Sequence, residues 1–258
     1  MYDFQKAGMS RRISAVIFDF ILLCIVAAGF AALLATVLSY DAKAEELDDI
    51  QTVYEQKYTV NADEYVVEFG ISSTEYEALT DEQKETYSNA YNAFAADETA
   101  NYLFAQIMNL SLLIISLPIF IAYLSLEFGV PLLFGNGQTL GKKIFGIALM
   151  REDGVKISPT ILFVRTILGK YAVETMIPVF IAIMIYFGVM GSVGWIMIGG
   201  LLILQLALVL TSKKNAALHD RLAHTVCVDL ASQKIFDTPE EMRAYYERLH
   251  AEDGAPKR

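Results

Sequence analysis

Four runs of apolar residues, near 13–38, 103–126, 171–190 and 193–211, dominate this 258-residue chain. Each is about as long as the ~20 residues a helix needs to cross a bilayer. With 55% hydrophobic and 19% charged residues, the chain is also too apolar for an ordinary soluble domain. The expectation is an all-α polytopic membrane protein with four transmembrane helices.

The formal net charge of −10 is unevenly spread. Residues 41–98 hold 16 Asp and Glu against 3 Lys, a net of −13, and the remaining residues are net +3. Lys and Arg near spans accumulate on the cytoplasmic side. Lys6, Arg11 and Arg12 precede the first run, and Lys142, Lys143, Arg151, Lys156, Arg165 and Lys170 lie between the second and third. Lys213, Lys214 and Arg221 follow the fourth. Both termini and the 135–170 loop are therefore predicted to be cytoplasmic, and residues 41–101 extracytoplasmic. A multi-pass plasma membrane protein is expected.

The first run opens on Arg11-Arg12-Ile13-Ser14-Ala15-Val16-Ile17-Phe18-Asp19-Phe20. A secretory signal is the competing reading, with Ala-x-Ala at 42–44. The run exceeds the usual 7–15 apolar residues of a signal core and contains Asp19, so an uncleaved span is expected. Cys24 lies in a span and Cys227 after the fourth, which implies no disulfide framework.

The acidic insertion is predicted to be largely helical. Thr80-Asp81-Glu82-Gln83 matches a capping box, and no Gly or Pro interrupts residues 71–117. A helix running almost continuously into the second span follows. Tyr87, Tyr91 and Phe94 recur at helical spacing, as do Tyr54 and Tyr58. They read as the packing of an external cap. The alternative is that the carboxylates gather cations at the mouth of a pore or carrier.

In the 135–170 loop, Ile147–Arg151 and Val155–Ser158 flank Glu152-Asp153-Gly154, a turn signal that predicts a short cytoplasmic β-hairpin. Ser158-Pro159 reads as an N-cap with proline at the first helical position, opening an interfacial helix that carries Arg165, Lys170 and Glu174. The glycines before Lys142 and Lys143 fail the phosphate-loop spacing and lack its Ser or Thr. Neither nucleotide nor nucleic acid is an expected ligand, and nothing in the chain implies a cofactor or a metal site.

The expected layout has residues 1–40 as cytoplasmic N-terminus and first span, then 41–101 as the acidic insertion and 102–134 as the second span. Residues 135–170 form the loop with hairpin and interfacial helix. Residues 171–190 and 193–212 are the third and fourth spans, joined by a turn at 190–194. Residues 213–258 form a cytoplasmic tail.

Three stretches together resemble the RDD family of small bacterial membrane proteins, named for one arginine and two aspartates. They are AGMSRRISAVIFDFILL, GQTLGKKIFGIALMREDG and NAALHDRLAHTVCV. The resemblance covers about residues 7–229 and implies one RDD membrane domain. It makes Arg12 the named arginine and Asp19 and Asp220 the aspartates, with Gly137, Thr139, Gly141, Lys142, Arg165 and His219 as supporting positions. The long acidic insertion departs from the common pattern, and His224 stands where glycine is more usual. Some members of the family are associated with exchange of monovalent cations for protons.

Arg12 and Asp19 are seven residues apart and so share a helix face, separated by ~10.5 Å of rise. A charge at mid-bilayer costs roughly 2.5–3.5 kcal/mol on insertion scales, so Asp19 must face the bundle and meet a partner. The expectation is an Arg12–Asp220 contact, with Asp19 meeting Arg165. Two readings of this network stay open. It is a structural pin, or Asp19 binds a proton, Na⁺ or K⁺, with Glu127 as a second cation ligand. A third class is an interaction protein whose acidic outer helices dock a partner. Enzymatic activity is not expected, because His219-Asp220 alone is a weak acid–base signal. A carrier with only four spans favours a homodimer.

Overall fold

The computed structural model describes residues 5–59, 65–186, 188–211 and 216–253, with side chains to 248. Lys213, Lys214 and Asn215, used above for charge and motif, lie outside the described residues. Among the described residues, four helices are long and apolar enough to span a membrane: α1 (Met9–Val37), α5 (Glu98–Phe134), α7 (Pro159–Tyr186) and α8 (Gly191–Thr211). Apolar side chains such as Phe20, Ile25, Ile203 and Leu206 are more than half exposed on α1 and α8. Water would not tolerate that surface, and lipid does.

The third span differs from expectation in one respect. No separate interfacial helix precedes it, because α7 runs unbroken from its Ser158 cap, which accepts from the Ile161 amide, to Tyr186. The turn after it lies at Gly188–Met190, and α8 already begins at Gly191.

Contacts divide the chain into two compact units, Ala28–Leu117 and the remainder. The first holds α2 (Tyr40–Tyr58), α3 (Ser73–Ala78) and α4 (Asp81–Ala95) between the adjoining parts of α1 and α5. Capping boxes at Ser72 and Thr80 open α3 and α4. The run into the second span is not continuous. Asp97 accepts from the Thr99 and Ala100 amides at 2.8 and 2.9 Å and starts α5 afresh. The Phe69 ring centroid lies 5.9 Å from those of Tyr87 and Tyr91 and 5.4 Å from that of Phe94. Tyr54 packs on Phe94 and donates to Asp97. The aromatics of this segment therefore form its packing.

The second unit contains the start of α1, the end of α5, and α6 (Leu140–Ile144), β1 (Ile147–Arg151), α7, α8, α9 (Leu218–Leu222), β2 (Thr225–Asp229) and α10 (Pro239–Asp253). The 153–154 turn forms, with the Arg151 amide donating to Val155 O at 2.9 Å, but the predicted hairpin does not extend beyond one bridge, Met150 to Lys156. Residues 154–156 run beside Phe236, with the Lys156 amide donating to Phe236 O at 2.8 Å and the Phe236 amide to Gly154 O at 3.3 Å. β1 instead pairs antiparallel with β2, from Ile147 opposite Asp229 to Arg151 opposite Thr225. The sheet buries both faces. Ile147, Leu149 and Cys227 pack with Ala7 and Ala15, while Ala148, Met150, Val226 and Val228 pack on the other side. Arg11 clamps the end of β2 through both oxygens of Asp229, at 3.0 and 3.2 Å. His224, just before β2, has φ +50°, a conformation that suits the glycine more usual there.

Two stretches of the spans are wound as π-helix, Tyr123–Gly129 in α5 and Val164–Met176 in α7. A π turn re-aims side chains relative to the α register and is frequent at functional sites. Glu127 lies on the first stretch, and Arg165, Lys170 and Glu174 on the second.

Candidate functional site

Among the described residues, Asp19 on α1 meets no base. One carboxylate oxygen accepts from the Thr139 hydroxyl at 2.5 Å and the other from the Gly141 amide at 2.7 Å. Thr139 is itself the N-cap of α6. The buried carboxylate therefore sits at a helix start, where unpaired amides and the helix dipole favour negative charge. This corrects the expected Asp19–Arg165 pair. Two charge-assisted hydrogen bonds, one to each oxygen, stand where a guanidinium was expected.

The loop motif is explained by the same contact. A Cβ on Gly141 would lie 2.5 Å from Ala15 O and 2.9 Å from the Asp19 carboxyl, so only glycine lets α6 approach α1. Gly137, at φ +62°, is hemmed by Leu149 and Ile157, each 2.9 Å from its ideal Cβ. Gly141→Ala should push α6 from α1 and lower stability by about 1–3 kcal/mol, read as a thermal shift in detergent. A shift under about 0.5 kcal/mol, the size of an ordinary surface change, contradicts this packing.

Asp220, on α9, is the best-partnered acid. Arg165 Nε donates to its Oδ1 at 2.9 Å, Thr225 Oγ1 lies 3.2 Å from the same oxygen, and Arg12 Nη2 is 3.8 Å from Oδ2. The Arg12–Asp220 contact is thus present, with Arg165 added to it. Both Arg165 and Asp220 side chains are 2% exposed. Burial alone would raise the Asp220 carboxyl, but Arg165, His219 and Arg12 hold it well below the ordinary carboxylate value.

Glu127 pairs with Lys170 at 2.7 Å. Lys142 is also buried, and burial lowers its ammonium below the ordinary value against the pull of Glu127. His219 joins the cluster from α9. Its Nδ1 is 2.8 and 2.9 Å from the two Glu174 oxygens, and its backbone amide donates to Glu174 at 2.9 Å. A Cβ on Gly169 would lie 2.8 Å from His219 Cβ, so that glycine admits α9 against α7. Burial pushes the His219 imidazole down, opposed by Asp220 and Glu174 and reinforced by Arg165.

These groups line one cavity of about 490 Å³. Its floor holds Asp19, Glu127, Glu174 and Asp220 with Arg12, Lys142, Arg165 and Lys170, plus His219. Its walls are apolar side chains of α1 and α8, including Ile13, Ile17, Phe20, Leu201 and Leu202. Four acids face four bases, so the floor is charge-balanced when His219 is neutral. Among the described residues, no three His, Cys, Asp or Glu side chains converge as a metal site.

Glu174 and Thr225 are the members that motif reading missed. The signal for Glu174 was available, since an ionisable residue inside an apolar run is a site candidate by default. Adjacent His219 and Asp220 do converge, with Nε2 3.6 Å from Asp220 Oδ1 while Nδ1 is held by Glu174. Gly137, although part of the motif, shapes the loop and does not line the cavity.

The family model for the RDD family matches residues 6–224. No curated protein and no solved structure matches the chain. The match takes in Arg12, Asp19, Lys142 and Asp220, which line the cavity, and the 137–141 loop beside it. The chain is a multi-pass membrane protein of the RDD family.

Proposed function

We propose that the chain is a carrier in the bacterial plasma membrane, exchanging a proton for a monovalent cation, Na⁺ or K⁺, through the charged cavity. The observation that carries this reading is the cavity itself, in which four acids, three of them buried, and four bases line a space large enough for ions and water. Inserting one more cation into a balanced floor requires that one positive charge leave, which is the requirement of exchange. Glu127 is the natural cation ligand. Its partner Lys170 is a compact ammonium on a flexible stem, able to give way to a metal cation. Asp19 is the second candidate, with the Thr139 hydroxyl as a neutral co-ligand.

The distribution of Lys and Arg supports cytoplasmic termini, a cytoplasmic 135–158 loop and an extracytoplasmic 41–97 segment. The same distribution supports a cytoplasmic position for the β1–β2 sheet. No enzymatic step, cofactor or nucleotide belongs to this reading, and a homodimer would thicken the wall around the path. A second reading treats the network as a structural pin and the outer acidic helices as a docking cap. It is favoured by the full occupancy of both Asp19 oxygens.

Proton movement driven by a Na⁺ or K⁺ gradient in proteoliposomes separates the two. The carrier predicts exchange by wild type and a loss of at least about tenfold for Glu127→Gln, equivalent to ~1.4 kcal/mol. Wild type that moves no protons under either gradient leaves the structural pin.

A further inference from the structure

We propose that His219 is the proton-binding site of this cluster, taking the proton on Nε2, where it faces Asp220. The inference rests on the exchange reading for its role, but the site is defined by geometry that stands apart from that reading.

A carboxylate accepts and never donates, so the contacts of 2.8 and 2.9 Å to Glu174 fix the hydrogen of the neutral ring on Nδ1. The lone pair is then on Nε2, which lies 3.6 Å from Asp220 Oδ1. Two acceptors face each other, and a proton between them turns an unfavourable contact into a charge-assisted hydrogen bond. The ring side chain is 12% exposed and lines the cavity, so water in the cavity reaches it.

Other charged groups sense the event. Asp220 Oδ1 already accepts from Arg165 Nε, and Thr225 Oγ1 lies within 3.2 Å, so a third donor weakens the hold of Arg165 on that oxygen. Arg12 stands at the other oxygen. One bound proton is thereby felt on α1, α7, α9 and β2 together. Arg165 opposes the charged ring, while Glu174 and Asp220 favour it. Lys170, which influences Glu174, limits that support.

The rest of the floor carries Asp, Glu, Lys and Arg, whose ordinary values lie far from neutrality, and histidine alone changes charge between about pH 5 and 8. Protonation takes the floor from balanced to one positive charge, and deprotonation opens room for one metal cation. The proton arrives from cavity water onto the Nε2 lone pair and leaves by the same path, with no bond to carbon and no change of oxidation state.

The test uses the full chain in lipid nanodiscs with His224→Gln and His250→Gln, which leaves His219 as the sole histidine, and reads its ring carbon by NMR across pH. The expected result is one titration with a midpoint below the ordinary imidazole value. Glu174→Gln should move that midpoint further down by about one pH unit or more, the size expected on losing an adjacent opposite charge. A ring that keeps one protonation state throughout the range in which the protein stays folded overturns the proposal.

Thermal stability gives a second readout in case Glu174→Gln fails to fold. With the folded value depressed, the unfolded chain takes up the proton first as pH falls, so wild type loses stability below the ordinary imidazole value. His219→Gln should flatten that slope, and an unchanged slope contradicts the proposal. In proteoliposomes, His219→Gln should abolish the response of exchange to pH near neutrality. If the variant exchanges with the wild-type pH profile, His219 is not the proton site. If wild type shows no exchange but the ring titrates as described, the carrier reading fails and the proton site stands.

Discussion

Arg165→Ala is expected to destabilise the protein by about 3–5 kcal/mol, the cost of leaving a buried carboxylate without its main partner. Its Nε donates to Asp220 at 2.9 Å with both side chains 2% exposed. The remaining positive neighbours of Asp220 are poor substitutes. Arg12 is 3.8 Å away, and His219 is charged only when protonated. Thermal unfolding in detergent, with size exclusion to follow monodispersity, measures the loss. Arg165→Met combined with Asp220→Asn should be closer to wild type than Arg165→Ala alone, because removing both charges removes the desolvation penalty as well. A single variant within about 1 kcal/mol of wild type would mean that the pair behaves like an exposed one.

Asp19→Ala is the second large effect, expected at about 2–4 kcal/mol. It leaves two buried donors, the Thr139 hydroxyl and the Gly141 amide, without their acceptor, and each orphan costs about 1–3 kcal/mol. Asp19→Asn is the informative comparison. The side-chain oxygen still accepts from Gly141, and the amide group faces a hydroxyl that is free to turn and accept. The loss for asparagine should therefore be about 1 kcal/mol, well below that for alanine. A base as partner reverses the logic, since asparagine would strand a buried cation at a cost comparable to alanine. Thermal shifts for the two variants decide it. Similar large losses for both contradict the helix-start account of Asp19.

Hydropathy made the four spans legible, because a run of about twenty apolar residues has few other uses. The need of Asp19 for an inward partner was legible too, from the cost of a charge in lipid. Its partner was not. Thr139 and Gly141 carry no charge, and a search for opposite charge passes over backbone amides that only folding exposes at a helix start. The β1–β2 pairing was hidden for a different reason. The 153–154 turn is genuine, but strand pairing depends on what else buries a face, and the apolar Val226-Cys227-Val228 lies more than seventy residues away. Continuity of α7 across Arg165, Lys170 and Glu174 escaped a division that set charged helix apart from apolar span. The π winding that turns those three residues onto one site has no mark in the spacing of the sequence.

The proposed exchange rests on a floor whose charge is balanced, and that balance has a measurable consequence. Trading one proton for one monovalent cation leaves the net charge of the cavity, and of each transport cycle, unchanged. In sealed proteoliposomes containing the full chain, an imposed Na⁺ or K⁺ gradient should drive proton movement in the opposite direction. Its rate should be the same whether the membrane potential is clamped at zero or, at roughly 100 mV, set to bias a single moving charge by ~2.3 kcal/mol. Proton movement that follows the potential, or none at all under either gradient, contradicts the account.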